Sequence, residues 1–317
     1  MPVQYASATV DDAGQRLDNF LLRRLKGVPK SHIYKLLRTG QVRVNKKRVK
    51  PTYRLLEGDE VRLPPVETKK AREITVPDQT RAVLHAAKVY EDDNLVVIDK
   101  PRGWAVHGGS SISFGVIETL RESYGNQRLE LVHRLDRDTS GLLMIAKNSA
   151  ALREAQAAFR ERQVKKIYEV LVWGKWRNNL RTVRKPLERY ETDWGERRVR
   201  VSSEGMAART DFQVLSSGLH ASRLEAVLHT GRTHQIRVHT RAMGHPIVGD
   251  TKYGHPQLDT DLAASLQHGE SLGLCLHATR LRLPWRGEML KLACDPPPEF
   301  VATWNALSDR DISDSVN

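Results

Sequence analysis

The chain has 317 residues, and its 51 Lys and Arg against 38 Asp and Glu give a formal net charge of +13 at pH 7. This length allows two domains and a large core, and the two cysteines, Cys275 and Cys294, exclude a disulfide framework and a cysteine-based zinc site. The first residues lack the apolar core of a secretory signal, and no apolar run approaches the ~20 residues of a membrane span. We therefore expect a soluble, cytoplasmic protein with no membrane partner.

The positive charge is unevenly distributed along the chain. Residues 1–66 carry 14 basic and 6 acidic side chains, which gives this segment a net charge of +8. Such an excess favours a polyanionic partner, most simply a nucleic acid, over a basic protein with no such partner.

The first module is predicted to contain two short helices followed by a small sheet. Apolar residues recur at helical spacing over residues 17–25, and a second helix begins with Ser31 as its N-cap and ends at Gly40. Alternation over Val42–Asn45 and the run 56–63 predict the strands.

The second module has more predicted strands than helices. A helix is predicted at 150–163, and strands are predicted at 88–90, 95–100, 166–172, 209–214, 223–228, 235–239, 276–283 and 289–293. Because regular helical crossovers are missing from this pattern, we expect an α+β fold with a mixed, mostly antiparallel sheet. The predicted boundaries are 1–14 for an N-terminal extension, 15–76 for the first module and the start of a linker, 77–88 for the linker, 89–302 for the second module and 303–317 for a polar tail.

The densest run of charge is His133-Arg134-Leu135-Asp136-Arg137-Asp138-Thr139-Ser140-Gly141, and the apolar run 142–146 follows it at once. Such a turn beside a core element is costly unless it lines a solvated cleft or pairs its charges internally. The residues alone leave two interpretations open, a catalytic carboxylate and a salt-bridged turn.

This run resembles the active-site signature of the RluA branch of the pseudouridine synthases, which modifies ribosomal and transfer RNA. Three more segments resemble the same family: Tyr90 to His107, Lys166-Ile167-Tyr168, and Gly231 to His239 with Gly244 to Asp250. Residues 15–61 resemble an S4 RNA-binding domain. The order and spacing are most similar to the RluC-type members, which act on large-subunit (23S) ribosomal RNA. The resemblance implies a pseudouridine synthase catalytic domain at 89–302, preceded by a small α/β S4 domain.

The resemblance also implies a reaction and its residues. The C1′–N1 bond of a flipped uridine breaks, the base turns, and it rejoins the sugar through C5, with no cofactor and no metal. Asp136 matches the catalytic aspartate, Arg237 the arginine that pairs with it, and Tyr168 the tyrosine that stacks on the uracil. Asp136 either forms a covalent adduct at C1′ or assists a glycal route. Arg134 either fills the gap left by the flipped nucleotide, contacts a phosphate or forms a salt bridge in the turn, and Asp138 is expected to cap the turn.

The S4 resemblance implies phosphate contacts from basic side chains, each of which is otherwise an ordinary surface charge. The residues expected to make these contacts are Lys30, Lys35, Arg38, Arg43, Lys46, Lys47, Arg48 and Lys50.

The sequence favours an rRNA enzyme that acts as a monomer over two alternatives. Transfer RNA as the substrate is disfavoured by the N-terminal module, and a non-catalytic RNA-binding ribosome assembly factor by the presence of Asp136, Tyr168 and Arg237. The spacing of the histidines at 229–245 matches no standard zinc pattern, and the nucleophile elbow of a serine hydrolase and the P-loop of an NTPase are both missing from the sequence.

Overall fold

The computed structural model describes residues 3–25, 27–66, 76–108, 114–125, 128–177, 179, 181–266 and 272–308. Contacts between Cα atoms divide the chain into two units. The first consists of Met1–Thr75 with Asn148–Ala150, and the second of Val76–Lys147 with Ala151–Asn317. Within the described residues, no helix is long and apolar enough to cross a membrane.

The first unit packs two helices against a small antiparallel sheet, as predicted for an S4 domain. Its elements are β1 (Gln4–Ser7), α1 (Leu17–Arg24), α2 (Lys30–Arg38), β2 (Arg43–Val44) and β3 (Glu60–Leu63), with the strands in the order β1-β3-β2. Phe20, Ile33 and Val61 are fully buried in its core. The predicted extension at 1–14 is wrong in part, because β1 pairs with β3 inside this sheet. The helix predicted with Ser31 as its N-cap begins two residues earlier, at Lys30, with Pro29 as the N-cap.

From residue 76 onward, strands outnumber helices. The elements are α3 (Asp78–Ala86), β4 (Lys88–Glu91), β5 (Leu95–Lys100), α4 (Val116–Ser123), β6 (Glu130–Leu131), β7 (Ser140–Ala146), α5 (Ser149–Arg160), β8 (Lys165–Trp173), β9 (Thr182–Val183), β10 (Leu187–Glu191), β11 (Arg197–Val201), β12 (Thr210–Ser217), β13 (Ala221–Leu228), α6 (Gln235–Ala242), α7 (Pro256–Ser265), β14 (Leu276–Trp285), β15 (Glu288–Ala293) and α8 (Pro298–Ser308).

The described strands of this unit form one ten-stranded sheet and a separate β10–β11 hairpin. The order along the large sheet is β4-β5-β7-β14-β8-β13-β12-β9, with β15 paired to β14 and β6 to β7. The pairing of β7 with β14 is parallel and the other pairings are antiparallel, which confirms the predicted mixed sheet. All seven residues of β7 are buried, because apolar clusters cover both faces of the sheet. This explains why its sequence is a continuous apolar run.

Gly141 lets β7 approach β14 closely. Its φ is +109°, and a Cβ at this position would lie 2.5 Å from the backbone N and O of Ala278. A larger residue would push the two strands apart, so the glycine that ends the charged motif has a packing reason.

Three predicted segments differ from the structure. The linker at 77–88 contains α3, whose Arg81 bonds Glu122 at 2.7 Å. The polar tail at 303–317 begins inside α8, where Thr303 and Leu307 are buried, and residues 309–317 lie outside the described part. The strand predicted at 235–239 is α6. The alternation of polar and apolar residues there was misleading, because the polar side chains are buried as well.

Candidate active site

Asp136 lies in the loop between β6 and β7, at the start of a turn that the Thr139 N–H closes onto the Asp136 carbonyl oxygen at 3.2 Å. Two neighbours fix this loop to the core. Leu135 is buried, and His133 Nε2 accepts the Met144 N–H at 3.1 Å. The Asp136 side chain keeps 24% of its surface exposed. The carboxylate is therefore presented from a fixed backbone.

Lys100, at the end of β5, holds the loop that carries Asp136 through a hydrogen bond to its backbone. Its ammonium is fully buried and donates to the carbonyl oxygens of Pro101 at 2.8 Å, Trp104 at 2.9 Å and Arg137 at 2.9 Å. Three acceptors match the three N–H bonds of an ammonium group. Burial lowers the pKa of Lys100 to about 7, and nearby carboxylates, including that of Asp136, oppose this shift. The lysine joins two loops that are far apart in the sequence.

His234 approaches the Asp136 carboxylate from the other side, with Nε2 3.9 Å from Oδ2. Its Nδ1 lies 2.8 Å from the Tyr253 hydroxyl, which in turn accepts the Val199 N–H at 2.9 Å. The backbone of His234 is left-handed, with φ of 52°, where α6 begins. Burial lowers the pKa of His234, and the charge of Asp136 opposes that shift. These contacts hold the imidazole in one orientation beside the carboxylate.

Arg237 does not make the predicted ion pair with Asp136. Its Nε and Nη2 bond the Asp250 carboxylate at 2.8 and 2.6 Å, and both side chains are buried. Burial opposes the charge on Arg237, but the bonds to Asp250 and the charges of Asp250 and Asp136 raise its pKa. This pairing has a geometric reason: Arg237 lies on the helix α6, and the loop after α6 places the Asp250 carboxylate where it accepts both hydrogen bonds of the planar guanidinium. Arg237 still contributes positive charge near Asp136.

Tyr168 extends from β8 into the same site and is only 8% exposed. Burial and the negative charge of Asp136 both raise the pKa of Tyr168. The hydroxyl therefore stays protonated at neutral pH, as a hydrogen-bond donor rather than a base.

These side chains meet at a cavity of about 280 Å³. Asp136, Tyr168, His234, Arg237 and the exposed Arg134 all line it, and Asp136 is the one carboxylate among its lining residues. An anion in a cavity otherwise lined by neutral and cationic groups is suited to act on an electrophilic carbon or a proton.

Asp138, the neighbouring carboxylate, does not line this cavity. It forms an ion pair with Arg137, with 3.2 Å between Oδ1 and Nε. This contact stays within the turn, and the capping role of Asp138 stays a prediction.

The cations predicted to bind RNA in the first unit are all exposed: Lys30, Lys35, Arg38, Arg43, Lys46, Lys47, Arg48 and Lys50. Four of them, Lys35, Arg38, Arg48 and Lys50, line one groove of about 600 Å³ between α2 and the segment after β2. The structure therefore brings half of this set together.

Sequence reasoning assigned no role to Lys100, His234 or Asp250. Lys100 and Asp250 lie inside segments that resemble the family, but only their partners distant in the chain show what they do. A weak signal was available for Lys100, because it lies two residues after the apolar run 95–98, where a charged side chain must be buried or paired.

Asp99, His277 and Cys294 form a group with ligand atoms within 4.8 Å of one another. Both nitrogens of His277 already have partners, with 2.8 Å from Nδ1 to Ser140 Oγ and 3.3 Å from Nε2 to Cys294 Sγ. We interpret this group as a hydrogen-bonded core cluster.

The fold and the site define an RNA-modifying enzyme, and comparison with known proteins gives its family. A sequence profile described as RNA pseudouridylate synthase matches residues 94–242, and an S4 domain profile matches residues 15–61. The chain belongs to the RNA pseudouridylate synthase family and is an RNA pseudouridine synthase, which confirms the resemblance. It is 48% identical to the ribosomal large subunit pseudouridine synthase C of Escherichia coli (strain K12) over 296 residues, covering 92% of each chain. It is 45% identical to the protein of that name from Pasteurella multocida (strain Pm70), covering 97% of this chain and 95% of the other.

Two solved structures share the fold. Human RNA Pseudouridylate Synthase Domain Containing 4 matches with a TM-score of 0.57 and 30% identity, covering 72% of this chain and 95% of its own. Human RNA Pseudouridylate Synthase Domain Containing 1 matches with a TM-score of 0.54 and 30% identity, covering 67% of this chain and 83% of its own.

Proposed function

We propose that this enzyme isomerises specific uridines in large-subunit ribosomal RNA, with Asp136 acting at C1′ of a flipped nucleotide. The observation that carries the assignment of Asp136 is its position as the one carboxylate lining the cavity of about 280 Å³. The names of the curated relatives favour ribosomal RNA over transfer RNA.

Each lining side chain has a part in this proposal. The Asp136 carboxylate attacks C1′ or takes up a proton beside it as the C1′–N1 bond breaks. The base stays in the cavity, turns and rejoins the sugar through C5, which frees the Asp136 carboxylate where it had bonded C1′. C5 then loses its proton and N1 takes one up, so the product has the same composition as uridine. Tyr168 gives the uracil a flat apolar wall and a neutral hydroxyl, and Arg237 adds positive charge that favours an ionised Asp136.

We place Arg134 next to the gap that the flipped nucleotide leaves in the RNA. It is exposed, it lines the cavity, and it precedes the buried Leu135 by one residue. A guanidinium at the mouth can occupy the space that the flipped nucleotide leaves, or bind an adjacent phosphate.

We place the enzyme in the cytoplasm, as a monomer whose exposed S4 cations add phosphate contacts.

The test maps pseudouridines in ribosomal and transfer RNA from a strain that lacks the protein, and from the same strain complemented with wild type or Asp136→Asn. Loss of particular large-subunit sites, restored by wild type alone, supports the proposal. Loss confined to transfer RNA contradicts the substrate, and restoration by Asp136→Asn contradicts the role of Asp136.

A further inference from the structure

A second and larger concavity adjoins the catalytic cavity. It is a groove of about 760 Å³ bounded by α5, β8, β13 and the loop after β13. The groove and the cavity share lining residues at their junction, including Lys166 and Arg232. A ligand bound in the cavity can therefore extend directly into this groove.

The groove is strongly cationic. Arg162, Lys165, Lys166, Arg184, Arg209 and Arg232 line it, and its lining includes no Asp or Glu. Arg209 is paired with Asp211. In the part of the chain that the structure describes, Arg162, Lys165 and Arg184 are exposed and make no ion pair. Three unpaired cations in a groove without carboxylates create a positive potential that suits a row of phosphates.

Arg162 occupies a position where glycine would be the easier residue. It follows the end of α5 with φ of +60°, its N–H donates to the Phe159 carbonyl oxygen at 3.2 Å, and the Gln163 N–H donates to that of Ala158 at 2.9 Å. This is a helix C-cap of the Schellman type, in which the left-handed residue is usually glycine. An arginine here strains the backbone while extending its charge into the groove.

We propose that this groove binds the sugar-phosphate backbone of the single-stranded RNA segment that flanks the target uridine, with Arg162, Lys165 and Arg184 as phosphate contacts. The inference rests on the RNA substrate of the proposed function and deepens it. A nucleotide whose base enters the cavity has left the stack, and its neighbours on the same strand must continue from the cavity mouth, so in this proposal the groove takes that strand alone.

The test compares two matched variants. Arg162→Gly removes one groove cation and suits the backbone, so its thermal midpoint is expected to equal or exceed that of wild type. Arg286→Gly is the control, because Arg286 is exposed, has φ of 50° and lies outside the groove, at the turn between β14 and β15. The two changes remove the same charge from the same backbone conformation.

Affinity for a large-subunit rRNA transcript is measured over a salt series with full-length protein. For single strands each lost phosphate contact lowers the slope of log K against log salt by roughly 0.7, which is about fivefold in affinity near 0.1 M salt. We expect that loss for Arg162→Gly, about a hundredfold loss for Arg162→Gly with Lys165→Gln and Arg184→Gln, and no loss for Arg286→Gly. Pseudouridine formation at limiting RNA should fall by the same factors.

Lys165→Gln is measured alone as well, because it leaves the C-cap untouched. The proposal is overturned if neither Arg162→Gly nor Lys165→Gln differs from Arg286→Gly by more than twofold in affinity. If wild type modifies only transfer RNA, the same comparison is made on that RNA, so a failure of the proposed substrate is distinguished from a failure of the groove.

Discussion

The first unit carries its cations on the surface, whereas the catalytic unit buries charged side chains around its cavity. All eight predicted phosphate contacts of the first unit are exposed, but Lys100, Arg237 and Asp250 are at most 2% exposed. Exposed cations attract a polyanion without fixing one geometry, whereas buried and fully bonded charges hold a particular arrangement of loops. We therefore expect exposed cations, in the first unit and in the groove beside the cavity, to set RNA affinity, and the buried charges around the cavity to support the chemistry, so that changes to the two kinds of charge have separable effects.

The largest effect is expected from Asp136→Asn, which keeps the size of the side chain and removes its charge. A neutral amide is neither a nucleophile for C1′ nor a base there, so pseudouridine formation should fall by many orders of magnitude while RNA binding persists. Single-turnover assays measure the rate, and anisotropy measures the binding. Asp138→Asn is the control and should cost far less. If Asp136→Asn were active and Asp138→Asn inactive, the reacting carboxylate would be Asp138 and the assignment to Asp136 would be wrong.

Acid should separate the stabilities of the two units. Burial lowers the pKa of His133 and of His277 to about 4. Because these folded values lie below the unfolded value of about 6.5, the unfolded chain takes up protons first, and stability falls as the pH drops from 6.5 toward 4. We expect each histidine to cost the catalytic unit roughly 2 kcal/mol between about pH 7 and about pH 4.5. Burial raises the pKa of Asp99 to about 6, so the folded state takes up this proton before the unfolded chain does, which offsets about one histidine's loss.

The first unit should resist this pH range. Its one histidine, His32, is exposed. The hydrogen bond from Arg16 lowers the pKa of Asp18 below 3.8, so the stability that the ionised Asp18 contributes is lost only at a pH lower than this range. All six tryptophans follow residue 100, so tryptophan fluorescence in urea reports the catalytic unit alone, and circular dichroism of residues 1–75 reports the first. Parallel loss of stability in both units between pH 6.5 and 4.5 would contradict the comparison.

Lys100→Met tests whether a buried charge holds the catalytic loop. The change preserves the apolar stem but leaves three carbonyl oxygens without their donor, which should destabilise the catalytic unit by roughly 2–4 kcal/mol. The rate at saturating RNA should also fall, because the Arg137 carbonyl lies one residue after Asp136. Urea unfolding and single-turnover kinetics measure the two effects. Lys88→Met removes an exposed ion pair with Glu91 and should cost less than about 1 kcal/mol. Equal costs for the two lysines would show that burial is irrelevant.

Removing residues 1–75 should have the smallest effect on chemistry. We expect affinity for rRNA to drop about 10- to 100-fold at low salt, with a smaller difference as salt rises, because counterion release drives the lost contacts. The single-turnover rate at saturating RNA should change little. Affinity and rate are compared over a salt series for both proteins. A truncated enzyme with full affinity at low salt would show that the surface cations of the first unit are dispensable for this substrate.

Local sequence patterns predicted several secondary-structure elements of this protein and the residue proposed to react. The two helices of the first unit follow from apolar spacing, and the β7 strand from a continuous apolar run. The charged motif marked Asp136 because such a dense set of ionisable groups beside a core strand needs a cleft, and its resemblance to a known signature made the assignment specific. Each of these inferences depends on residues close together in the chain.

The tertiary structure decided the features that join distant segments. Polar alternation over 235–239 predicted a strand, and the structure has a helix, because Gln235 and His239 find buried partners on β12. Arg237 pairs with Asp250, Lys100 binds the carbonyl of Arg137, and His234 approaches Asp136 only once α6 and the β7 loop are packed. The physical reason is that burial and bidentate pairing are decided by neighbours in space, and for a charged side chain those neighbours determine whether it binds RNA, holds a loop or reacts.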